Sequence, residues 1–151
     1  MTLFASGSLA LAAGAALAAQ SAINARLGVL LQNPVAASTC AFFVSLCVSS
    51  VALALGSRSL PSTTLAREVP IWLWFTGGTL SFVGVATFYW LIPRVGVGQV
   101  VVFGLVGQLL LSTVAAHWGW FQFPVQRLDA HKLLGLTCLV VGAVLIQRGR
   151  L

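Results

Sequence analysis

Charge is what this chain has least of. Of 151 residues, two are acidic and eight are Lys or Arg, and charged residues make up 7% of the sequence. Soluble domains carry roughly 25%, so a water-facing surface of ordinary composition is excluded. The two acids, Glu68 and Asp129, both fall in polar stretches, leaving the long apolar runs without Asp, Glu or Lys. A self-contained proton antiporter commonly needs a desolvated carboxylate inside the membrane; this sequence does not supply one. Nor does it group Ser, His and an acid, Cys and His, or a metal-binding set, so it is expected to be no enzyme and to hold no cofactor and no metal. The net charge of +6 comes from singly scattered basic residues rather than a patch, which argues against nucleic acid. The three cysteines are an odd count, and Cys40 and Cys47 lie about 10 Å apart along one helix, too far to bridge. They read as small hydrophobes.

What is present is apolar sequence: 59% of the residues are hydrophobic. A helix needs about 20 apolar residues to cross the hydrocarbon core, so this length accommodates about five spans with short loops. The stretches fall at about 3–31, 35–55, 71–92, 95–116 and 133–147, which makes 1–151 one transmembrane domain. The first could pass for a signal peptide, with Ala16-Leu17-Ala18 as a cleavage pattern, but MTLFASGS lacks a basic leader and a retained span is expected. SRSLPSTTLAREVP reads as an aqueous loop, and HWGWFQFPVQRLDAHK as an interfacial one whose Trp118 and Trp120 join Trp72, Trp74 and Trp90 in an aromatic belt. Hydrocarbon offers no partner to free backbone groups and no alternating strand pattern occurs. The expected fold is therefore an all-α integral membrane protein.

Small residues recur every seventh position: Gly7, Gly14, Ser21 and Gly28; Ser38, Ser45 and Ala52; Gly77 and Gly84; Gly135 and Gly142. Such seams let helix backbones approach closely, and packing suffices to explain them. Five spans place Arg58, Arg67, Arg127 and Lys132 on one side of the membrane and Arg26, Arg94, Arg148 and Arg150 on the other. Orientation follows the Lys/Arg bias of short loops. With no bias, the chain is expected to insert both ways and pair as an antiparallel homodimer, which would assemble the two inverted repeats that many transporters use.

The polar residues inside the spans are the candidates for function. Gln20 and Asn24, four apart on one helix face, and Gln108, near the middle of the fourth span, must meet each other, another helix or a water-filled cavity. They serve as interhelical contacts, as the lining of a substrate path, or as both; Tyr89 and Trp90 are candidate aromatic walls. Arg26 either snorkels to the interface or faces an anionic group. His117 is either a plain interfacial residue or a proton-linked one.

These residues carry a resemblance. Gln20-x-x-x-Asn24-x-x-Leu27-Gly28, Pro34-x-Ala36-Ala37, Gly77-Gly78, Pro93-Arg94-x-Gly96 and Gly107-Gln108-Leu109, in this order over essentially the whole chain, resemble the YdcZ-like inner-membrane exporters of the drug/metabolite transporter superfamily. The resemblance implies a bacterial inner-membrane protein made of one five-helix repeat, working as dual-topology copies, as an oppositely oriented pair, or fused. Members often carry Asp where this sequence has Ala116, ahead of His117-Trp118-Gly119. The expected function is a transporter subunit in the lipid bilayer that exports or exchanges a small organic solute by alternating access. The alternatives are half of a heterodimer with an acid-bearing homologue and a non-transporting membrane assembly subunit.

Overall fold

A computed structural model describes residues 3–56, 62–120 and 124–148. Arg58 and Arg150 of the charge count lie outside these. Among the described residues six α-helices run in the order α1 (Leu3–Leu30), α2 (Pro34–Gly56), α3 (Thr63–Glu68), α4 (Ile71–Val95), α5 (Val97–Trp118) and α6 (Ala130–Arg148). All but α3 are long and apolar enough to cross a membrane, giving five spans, and no strand occurs among the described residues. The chain divides into two compact units, Met1–Arg94 and Val95–Leu151.

In the first unit α1 and α2 form an antiparallel hairpin whose turn is built from side-chain and backbone hydrogen bonding. The Asn33 N–H donates to Gly28 O (2.9 Å) and the Gln32 N–H to Val29 O (3.1 Å). This pairing is a Schellman cap, with Gln32 at the left-handed position, φ 51°. Asn33 then caps α2, its Oδ1 accepting from Val35 N (2.9 Å) and Ala36 N (3.1 Å), while Pro34 takes the first helical position, where no N–H is needed. The Gln32-Asn33-Pro34 sequence thus ends one helix and begins the next. A side chain at positive φ is strained, so Gln32→Gly is expected to raise stability by about 0.5–1 kcal/mol, read as a higher melting temperature.

Close packing between α1 and α2 is made by small residues. Ala25, Ala37 and Ser38 are at most 1% exposed, and Ser21 and Gly28 are buried with them. A Cβ on Gly28 would lie 3.3 Å from Pro34 Cα and 3.5 Å from Ala37 Cβ. The seam is therefore used within the chain at its Ser21–Gly28 end. A Cβ on Gly7, Gly14, Gly77, Gly84, Gly135 or Gly142 would meet nothing within 4 Å. Most large apolar side chains are exposed, as lipid-facing surfaces are, since lipid tails are as apolar as Leu.

The SRSLPSTTLAREVP stretch is not wholly loop. Ser62 Oγ accepts from Leu65 N (3.3 Å) and starts α3, a short helix that the hydrophobic pattern hides because too few apolar residues lie in it to show a period. In the second unit α5 packs on α6. It starts after Gly96, whose φ 97°, ψ 150° is open to glycine almost alone, and ends at Gly119, left-handed at φ 64° with its N–H donating to Ala115 O. Asp129 caps α6 by accepting from Lys132 N at 2.8 Å, which begins this helix at Ala130, three residues before its apolar run.

Candidate functional site

Three polar side chains meet between α1 and α4. Gln20 and Asn24 lie one turn apart on α1 and present their amides to the same side. Tyr89 reaches them from α4. Asn24 Nδ2 donates to Gln20 Oε1 (3.0 Å) and to Tyr89 Oη (3.0 Å), and the Tyr89 hydroxyl donates to Gln20 Oε1 (3.1 Å). Gln20 Nε2 reaches Ser21 Oγ at 3.4 Å, and that hydroxyl donates to Leu17 O at 2.8 Å. Tyr89 is 1% exposed; Gln20 and Asn24 are half-buried.

The hydrogen bonds can be counted atom by atom. Both Asn24 N–H donors are used, Gln20 Oε1 accepts twice, and the Tyr89 hydroxyl both donates and accepts. Asn24 Oδ1 and the second Gln20 N–H are left over. No buried side-chain polar atom among the described residues lacks a partner, so Asn24 Oδ1 faces accessible space, while the second Gln20 N–H belongs to a half-buried side chain whose nitrogen already reaches Ser21. An amide stranded in hydrocarbon costs several kcal/mol. The cluster therefore holds one unspent acceptor and one unspent donor, both uncharged, inside a membrane span.

Other sequence candidates are placed differently. Trp90, next to Tyr89 and so about 100° around α4, lies under the Arg94 guanidinium, whose Cζ is 4.1 Å from the ring centroid and whose Nη1 donates to Trp90 O. Arg26 is exposed on α1, two residues past Asn24 and hence roughly on the opposite face. His117 Nδ1 accepts from the Leu128 N–H at 3.2 Å, which ties the chain entering α6 back to the end of α5. Trp118 and Trp120 stack with centroids 5.8 Å apart. Gln108, in α5, is exposed and makes no hydrogen bond among the described residues. Ser21, read from sequence only as a seam position, is the added member of the polar cluster. Tyr89 proves to be a hydrogen-bonding partner: it is the chain's one tyrosine, and a phenol within an apolar span must find an acceptor.

The second unit contains a groove of about 460 Å³ between α5 and α6, lined by Leu109, Ser112, Thr113, Leu136 and Leu139, with Gln126 and Lys132 also in its wall. Ser112 and Thr113 both donate to Leu109 O, at 3.0 and 2.7 Å, so their polarity is spent on their own helix. Among the described residues no three His, Cys, Asp or Glu side chains come together. The chemistry on offer at the α1–α4 cluster is amide and phenol hydrogen bonding. The family model described as "Putative inner membrane exporter, YdcZ" matches residues 6–145. No curated protein and no solved structure matches the chain.

Proposed function

The chain belongs to the YdcZ family of inner-membrane exporters and is a multi-pass inner-membrane transporter protein; from this premise we propose that it moves a small, uncharged organic solute past the Gln20–Asn24–Tyr89 cluster by alternating access. The observation that carries this reading is the unspent hydrogen-bonding capacity of the cluster, Asn24 Oδ1 as acceptor and a Gln20 N–H as donor. That pair complements an amide or hydroxyl group and offers a full charge no counter-ion. The spans hold no Asp or Glu, which favours movement down the solute's own gradient over exchange for protons. Two copies in opposite orientations supply the paired repeats that alternating access needs, and the four-against-four distribution of basic residues supports insertion both ways.

The test is reconstitution. Vesicles containing the purified chain and loaded with a panel of small neutral polar solutes are expected to release at least one of them faster than protein-free vesicles, with or without a pH gradient. Release of none under any imposed gradient would leave an assembly subunit as the better description. Reporter fusions at the C-terminus are expected to register on both sides of the membrane; a single orientation would remove dual topology from the proposal.

A further inference from the structure

We propose that the Gln108 face of α5 is the surface on which two oppositely oriented copies of this chain meet, with Gln108 of each copy bonding Gln108 of the other at the bilayer midplane. The assignment rests on the dual-topology reading above and adds the contact that reading leaves open. Gln108 stands eleven residues after Val97 and ten before Trp118, so about 16 Å of helix lies on one side of it and about 15 Å on the other. A twofold axis lying in the membrane plane exchanges the two leaflets, and only residues at the midplane can then meet their own symmetry mates at equal depth. Gln108 is the one amide of α5 at that height.

The side chain is suited to such a meeting. It carries both a donor and an acceptor, so it is complementary to itself, and it is exposed on an apolar span without a hydrogen-bond partner among the described residues. Its surroundings share the symmetry. Val101, Gly104, Leu111 and Ala115 lie on the same face of α5, spaced in threes and fours. Antiparallel pairing about Gln108 sets Val101 against Ala115 and brings Gly104 to the depth of Leu111 and Ser112, larger against smaller, as close-packed membrane helices require. Parallel pairing would oppose Leu111 to Leu111. Leu109, in the wall of the groove toward α6, lies about 100° around the helix from Gln108, and Ser112, about 40° away, stands where this face borders that groove.

Cysteine cross-linking tests the register in native membranes, using the full chain with Cys40, Cys47 and Cys138 changed to Ala. Under mild oxidation Gln108→Cys is expected to give a disulfide-linked dimer. Gly104→Cys and Ser112→Cys, which keep Gln108, are each expected to stay monomeric alone and to cross-link when the two variants are produced together. In an antiparallel pair each of these positions lies about 12 Å in depth from its own mate, beyond the about 7 Å Cα separation that a disulfide tolerates. Ser112→Cys linking to itself as readily as Gln108→Cys would overturn the proposal in favour of parallel packing. No linkage at any of these positions, with reporter fusions still showing both orientations, would overturn this interface alone. A single orientation would overturn the dual-topology reading and this contact together.

Discussion

Asn24→Leu is expected to cut transport by about tenfold or more while leaving the fold in place. Asn24 spends both amide protons on the cluster, one on Gln20 and one on Tyr89, and contributes its unspent acceptor. Each lost hydrogen bond is worth about 0.5–1.5 kcal/mol, and 1.36 kcal/mol is tenfold in rate. The fold survives because the Tyr89 hydroxyl still donates to Gln20 Oε1 in the variant, so neither partner is stranded in hydrocarbon. Tyr89→Phe removes one hydroxyl but neither free group, and a smaller loss is expected. The measurement is the release rate of whichever solute the unmodified chain moves, alongside the melting temperature in detergent. Unchanged release by Asn24→Leu would reduce the cluster to a contact between α1 and α4.

Gly28→Leu is expected to destabilise the first unit by about 1–3 kcal/mol, the usual effect of forcing a larger side chain into a closed space. Its first added carbon already falls 3.3 Å from Pro34 Cα. A backbone atom fixed by the Asn33 cap and the Schellman turn cannot swing aside as a flexible side chain would. The strain therefore separates α1 from α2 and disturbs Ala25, Ala37 and Ser38, which pack there. Gly14→Leu is the contrast. Nothing lies within 4 Å of its added carbon, and Leu is a better helix former than Gly, so the isolated chain should melt no lower. Equal melting temperatures for the two variants would show that the hairpin is looser than the geometry states.

The two glycines show how far sequence reasoning reaches. Gly14 and Gly28 occupy the same seven-residue seam and are equivalent as pattern, since periodicity records which residues share a face and says nothing of what stands opposite. Only the turn at Gln32-Asn33-Pro34, which brings α2 back against the end of α1, distinguishes them. The Gln20–Asn24 pairing was legible for a related reason: the four-residue spacing fixes it within one helix. Tyr89 and Trp90 look alike as candidate walls in sequence, but one turn-fraction of α4 sends the first into the amide cluster and the second beneath Arg94.

The amino-acid sequence by itself determined that this is a five-span helical membrane protein of the YdcZ family, because hydrocarbon permits few backbone solutions and composition reports that environment directly. Tertiary structure alone decided that Tyr89, more than sixty residues away in the chain, completes the Gln20–Asn24 pair, and that Gln108 is left without a partner inside its own chain among the described residues. Contacts between distant segments depend on which helix faces meet. Lipid leaves that choice open, and packing of small residues with pairing of the few polar groups makes it.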